Sequence, residues 1–298
     1  YEMEDMVWIG TDDVVASLED YMQTAVPHSF GCQTITTGLF RNQYADGIFG
    51  LARHDTSLLK NMAKEGVIAK DAFSLCLTKE SGQISLGGTH PNAQHKEPMR
   101  FVPLYREHGF FSIEVVAVDV GNERVLAKDD KASASKLDVF NQGKGTILDT
   151  GTTDTYLPMA VAAVIKAAMA RAMAKTDIRA RALFGKDKTQ SFTYNDFRMV
   201  PTVTIHLVNG VRIVMEPANF LEHVPVDGST GKVVPWRSTK RLTNRLYVDE
   251  KEGAVLGGNA MFGYEILYDT QGHQVGIAKA DCSSYASTFK IDPSNAME

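Results

Sequence analysis

Apolar and polar residues alternate over short runs along this chain, and the pattern predicts strands far more often than helices. The stretch 111–118 is dense in β-branched residues. Residues 202–207, then Asn209-Gly210, then 211–214 read as a hairpin, because Asn-Gly supplies the positive-φ turn that hairpins favour. Short apolar runs at 246–248, 254–256, 266–268 and 274–278 extend the pattern, with 269–272 as the turn before the last. Two stretches have helical spacing. One, 57–65, opens on Ser57 as an N-cap and stops before Gly66. The other, 158–174, is Ala-rich with Pro158 in its first turn, and Lys166, Arg171 and Lys175 form its solvated face. The polar stretches 128–136 and 227–231 read as loops.

One apolar run ends in chemistry. Ile147 and Leu148 lead into Asp149-Thr150-Gly151-Thr152, so a carboxylate emerges where a buried strand breaks into a tight turn. Gly151, lacking a Cβ, lets its backbone N–H approach that carboxylate, and the hydroxyls of Thr150 and Thr152 can fix the loop. A carboxylate held this way is poised for acid–base work. The competing reading is an ordinary Asp-Thr-Gly turn. There is also an internal echo, since 45–51 and 253–258 each place two apolar residues before a glycine. A duplicated fold would set an Asp-Thr-Gly turn ahead of each copy. None precedes the first, and no second Asp-Thr-Gly or Asp-Ser-Gly occurs in the 298 residues.

Length and composition bound the rest. With 298 residues, 44% hydrophobic and 22% charged, the chain can form one large β domain or two lobes. A formal charge of −5 argues against nucleic acid and anionic membranes as partners. No apolar run reaches the roughly 18 residues of a spanning helix. The opening Tyr1-Glu2-Met3 shows neither an initiator Met nor a signal peptide, as expected of a processed product or a piece of something longer. Three cysteines, Cys32, Cys76 and Cys282, fit no zinc spacing, and their odd number suggests one bridge plus a thiol whose partner is absent. His90 and His95 lack metal-ligand spacing, and all eight histidines read as structural or solvated, so no metal is expected. Without a Gly-x-Ser-x-Gly elbow or a phosphate-cradling loop, no cofactor is expected either. No Asn-x-Ser/Thr sequon supports secretion.

Several short pieces, taken together, resemble the pepsin family of aspartic peptidases over most of the chain. Phe30-Gly31-Cys32-Gln33, the segment 45–52, Phe73-Ser74-Leu75-Cys76-Leu77 and Ile84-Ser85-Leu86-Gly87-Gly88 are similar to the later part of that family's N-terminal lobe. Residues 147–153, Val255-Leu256-Gly257-Gly258, Tyr268-Asp269 and 275–282 are similar to its C-terminal lobe, in the same order. The Phe-Gly-Cys-Gln piece and Gly38-Leu39-Phe40 resemble the nepenthesin-like and protist branches. The resemblance implies a mostly β, bilobal pepsin-like acid protease fold with an incomplete N-terminal lobe. Residues 1–106 would be the later portion of that lobe, without the first catalytic aspartate and the flap, retaining only the strand after the flap around 6–10. Residues 107–298 would be the C-terminal lobe. The incomplete lobe should be the weaker half, with sheet edges and core surface exposed.

The resemblance also implies roles. Asp149 would be the catalytic aspartate of the C-terminal lobe, and Thr150 would lock the turn to its partner loop. Gly151, Thr152 and Thr153 would bind an extended substrate backbone. Cys76 and Cys282 would be bridged, with the partner of Cys32 in the missing part. The implied activity is endopeptidase cleavage of a peptide or protein substrate by an Asp/Asp pair and an activated water. This chain would hold half of that pair and be inactive alone. A monomer in the secretory pathway, outside the cell or in an acidic vesicle is implied, with room for a membrane anchor beyond Glu298. Two alternatives stay open: a non-catalytic pepsin-like binding or inhibitor protein, and a homodimer that brings two copies of Asp149 together.

Overall fold

The computed structural model describes residues 1–9, 23–42, 46–106, 109–176, 180–185, 189–224 and 239–283. The expected loop at 227–231, Gly10 and Ala45 lie outside them. The fold is mostly β. Its centre is a five-stranded antiparallel sheet in the order Gly82–Leu86, Ala72–Leu77, Tyr264–Asp269, Gln274–Lys279, Arg100–Pro103. Strands from the first third of the chain thus pair with strands from its end. Cys76 and Cys282 are disulfide-bonded beside this seam, across a sequence separation of 206 and a Cα–Cα distance of 5.2 Å. A second sheet runs Leu246–Glu250, Thr155–Pro158, Ala254–Leu256, Thr146–Leu148, Ser112–Ile113. A four-stranded sheet joins Arg212–Met215, Val203–Leu207, Val115–Val120 and Glu123–Ala127. A three-stranded sheet joins Thr189–Thr193, Thr239–Asn244 and Leu221–His223, and a lone hairpin joins Glu2–Val7 to Val26–Gly31.

Local chemistry explains where the elements start and stop. The helix Leu58–Lys64 buries Leu58, Leu59 and Met62 and ends at Gly66, whose φ of +75° suits a residue without a Cβ. Ser57 stands at its N-cap, although its hydroxyl makes no capping bond. The Asn-Gly hairpin forms as expected, with Asn209 at φ 60°. The reading of 111–118 as one strand needs correcting: the chain changes sheets at Glu114, where the Asn141 side chain bonds both backbone groups of Val115. Pro158 closes the strand Thr155–Pro158 and also caps the helical turn Met159–Val161, which runs directly into the helix Ala162–Ala172, so the expected helix forms with the proline just before its first residue. The loop reading of 128–136 gives way at Ala134–Leu137, a helical turn that buries Leu137. The strand expected around 6–10 spans Glu2–Val7. Of the helix face at 162–175, Arg171 pairs with Glu123, Lys175 is exposed and Lys166 lies over the Phe184 ring.

Burial is uneven. Among the described residues before Leu51, only Val26 is buried, whereas the strands from Ser112 onward supply most of the core. The first and last segments meet in an aromatic cluster. Phe73 stacks on Tyr268 at 4.6 Å, and Phe111 packs edge-on against Tyr268 at 4.8 Å. Among the described residues no helix is long and apolar enough to cross a membrane.

The turn after Tyr268 carries a buried carboxylate. Burial opposes the charge on Asp269, but hydrogen bonds from the Gln274 amide, the Gly272 N–H and the Lys70 ammonium outweigh it and hold the carboxyl below its ordinary range. A folded-state pKa below the unfolded value gives stability that is full above roughly pH 5 and is lost as pH falls below about 4. Asp269→Asn should therefore lower stability by about 1–3 kcal/mol near neutrality. The gap in melting temperature from wild type should close on acidification. Thermal scans showing a pH-independent gap would contradict the ion's role.

Candidate active site

The second sheet positions Asp149. Thr146–Leu148 runs parallel to Ala254–Leu256, and Thr155–Pro158 lies on the other flank of Ala254–Leu256. The connection 149–154 must therefore cross the end of the middle strand, at Gly257. A Cβ there would sit 2.2 Å from the Asp154 carbonyl oxygen and 2.5 Å from that of Thr152. Only glycine fits this backbone-on-backbone contact. The Asp149 N–H donates to the Leu256 carbonyl at 3.1 Å, and Gly258 N–H donates to the Thr152 carbonyl at 2.7 Å, so the crossing is laced to the strand it covers.

Within the crossing, both carboxylate oxygens of Asp149 are held. The Gly151 N–H donates to Oδ1 at 2.9 Å and the Thr152 hydroxyl to Oδ2 at 2.6 Å. The side chain is half-buried, so the remaining lone pairs stay accessible. Of the residues singled out from sequence, Gly151 and Thr152 thus orient Asp149 directly. Thr150 and Thr153 are exposed, and their hydroxyls make no hydrogen bond among the described residues. Close by, the Tyr268 phenol is fully buried, and burial, with the Asp149 charge adding to it, pushes its pKa far up and keeps it neutral. Its hydroxyl meets Met261 Sδ at 3.1 Å.

Sequence reasoning missed Thr155 and Asn259. The Thr155 hydroxyl donates to Asn259 Oδ1 at 2.6 Å, and Asn259 Nδ2 donates to the Arg245 carbonyl at 3.1 Å. The available signal was a polar Asn set between Leu256 and Met261 in an otherwise apolar run.

The family profile described as eukaryotic aspartyl protease matches residues 21–280, most of the chain. The chain belongs to the eukaryotic aspartyl protease family. Similar members include aspartic proteinase 36 of Arabidopsis thaliana, 24% identical over 86% of this chain and 49% of that protein. Aspartyl protease family protein 1 of the same plant is 25% identical over 93% of this chain and 49% of its own length. Rhizopuspepsin-1 of Rhizopus niveus is 26% identical over 55% of this chain and 38% of its own. The chain spans about half the length of the plant aspartyl proteases it matches. The mostly β architecture, with strands from both ends of the sequence sharing a central sheet, agrees with a pepsin-like fold.

Proposed function

We propose that the full-length protein is an aspartic endopeptidase in which Asp149 is one of two carboxylates sharing a proton across a cleft. The observation that carries this reading is the Asp149 carboxylate itself, oriented through both oxygens by its own turn and half-exposed at the end of a buried parallel strand pair. Two carboxylates about 3 Å apart cannot both ionise, so one keeps its proton while the other is charged. The charged member takes a proton from a bound water as that water attacks the scissile carbonyl. The protonated member donates to the carbonyl oxygen and stabilises the tetrahedral intermediate. The two pKa values belong to the pair, so neither role is assigned to Asp149 alone. Thr152 gives its hydroxyl hydrogen to Asp149 and keeps oxygen lone pairs. With the Gly151 carbonyl and the outward Thr153 hydroxyl, it offers partners to an extended substrate backbone. The outward hydroxyl of Thr150 is available to lock the loop that carries the second carboxylate.

In this reading the second carboxylate belongs to polypeptide outside these 298 residues, and the internal echo supports it. Val255 and Leu256 are 7% and 0% exposed beside Thr146–Leu148, whereas Ile48 and Phe49 are 76% and 47% exposed. A second strand leading into an Asp-Thr/Ser-Gly turn would cover them as the first covers Val255 and Leu256. The same reading divides the chain into 1–106, from the N-terminal lobe, and 107–298, the C-terminal lobe. It assigns the protein to the nepenthesin-like or protist branch, as a monomer cleaving peptide or protein substrates in the secretory pathway, outside the cell or in an acidic vesicle.

The test is cleavage of an unfolded protein substrate at acid pH. The full-length protein should cleave, and a peptide analogue with a tetrahedral, hydroxyl-bearing carbon at the scissile position should inhibit it. The 298-residue chain alone should be inert. A full-length protein that binds peptides without cutting them would be a pepsin-like binding or inhibitor protein instead. Cleavage by the isolated chain, sedimenting as a dimer, would place two copies of Asp149 in one site.

A further inference from the structure

We infer that Thr155 and Asn259 are positioning residues for the Asp149 carboxylate, acting through the crossing 149–154. This rests on Asp149 being catalytic. The crossing is fastened along one side to three residues of the segment 256–259. Leu256 accepts from the Asp149 N–H at 3.1 Å, Gly258 N–H donates to the Thr152 carbonyl at 2.7 Å, and Asn259 N–H donates to the Thr153 carbonyl at 3.0 Å. To these backbone ties Asn259 adds a side-chain tie, its Oδ1 accepting from the Thr155 hydroxyl at 2.6 Å. Its Nδ2 meets the Arg245 carbonyl, which also accepts from the Thr155 N–H at 3.4 Å. The Arg245 guanidinium reaches the Asp154 carboxylate at 3.7 Å. The far end of the crossing is thereby pinned at Thr155.

Pinning that end matters because Thr152, midway along the crossing, holds Asp149 Oδ2. If Thr155 drifts, Thr152 drifts with it and the carboxylate turns. Thr155 and Asn259 are 0% and 3% exposed, so neither can touch a substrate. Their loss should therefore appear in kcat, leaving KM nearly unchanged. Placement errors well under an ångström already degrade acid–base geometry.

The test uses full-length enzyme, with kcat normalised to active sites titrated by a tight transition-state analogue. Thr155→Val keeps the shape and removes the donor; it should lower kcat about tenfold, with KM within about twofold. Thr155→Ser restores the hydroxyl and should recover most of the rate. Should Thr155→Val fail to fold, the pair Thr155→Val/Asn259→Leu takes its place, since removing both polar partners leaves less buried polarity unsatisfied. The same kcat loss is expected from it. Wild-type kcat per titrated site in the folded variant, or equal losses in Thr155→Val and Thr155→Ser, would overturn the inference. Asp149→Asn measured alongside separates the two levels. If it still cleaves, the catalytic reading itself fails; if it is dead while the Thr155 variants turn over normally, only the positioning role fails.

Discussion

Asp149→Asn in the full-length protein is expected to abolish peptide-bond cleavage while leaving the fold intact. The substitution is isosteric. The new amide oxygen can still accept from the Gly151 N–H, and the Thr152 hydroxyl can reverse to accept from the new amide nitrogen. What disappears is a group able to gain and lose a proton, and with it the proton sharing that sets the pair's two states. Loss of a positioned acid–base group costs on the order of 10²–10⁴ in rate, and the second carboxylate cannot compensate. Asp149→Ala should be as inactive and also less stable, because it strands the Gly151 N–H and the Thr152 hydroxyl. Initial rates at acid pH, with melting temperatures as the folding control, check both variants. A folded Asp149→Asn protein that cleaved at more than a few per cent of the wild-type rate would remove Asp149 from the mechanism.

Removing the Cys76–Cys282 bridge is expected to produce the largest stability change. The bridge spans 206 positions, so it restricts the unfolded chain far more than a local bridge would. By chain-entropy reasoning a loop of this length contributes about 5 kcal/mol, which corresponds to roughly 10–20 °C in melting temperature for a domain of this size. Both sulfurs are buried, Cys76 at 4% and Cys282 at 2% exposure. The Cys76→Ala/Cys282→Ala pair is therefore a cleaner test than a reductant, and it leaves no new thiol for Cys32 to capture. Calorimetry of the doubly substituted protein should show the shift. A melting temperature within a few degrees of wild type would mean that the sheet pairing alone holds the ends together.

The hairpin at 203–215, the strand into Asp149 and the helix at 58–64 were legible because each carries its own local signal: Asn-Gly, an apolar run into Asp-Thr-Gly, and a Ser-to-Gly frame around helical spacing. The disulfide came through resemblance, since nothing about the spacing of three cysteines selects Cys76 with Cys282. Other features depend on distant partners. The sheet change at Glu114 is imposed by Asn141, which the pattern of 111–118 cannot register. Pro158 satisfied a helix rule, yet its extended backbone pairs with Glu250 and ends a strand. Thr155 and Asn259 stand 104 positions apart, and neither residue type announces the other. The roles of Gly151 and Thr152 toward Asp149 followed from adjacency. The fit of Gly257 beneath the crossing emerged only from the topology.

The central sheet carries a consequence for biosynthesis. Ser74 and Glu265 lie on neighbouring strands but 191 positions apart. At ribosomal speeds of about 5–20 residues per second, the strand Ala72–Leu77 waits roughly 10–40 s for its mate to be translated. Until then one of its edges has no native neighbour within the nascent chain, a situation that invites mispairing. The pairing across the seam can form only after the strand Tyr264–Asp269 has been made. A ribosome stalled before residue 264 would leave a polypeptide that holds the Asp149 turn and every strand of the sheet that positions it, but lacks the middle strand of the central sheet.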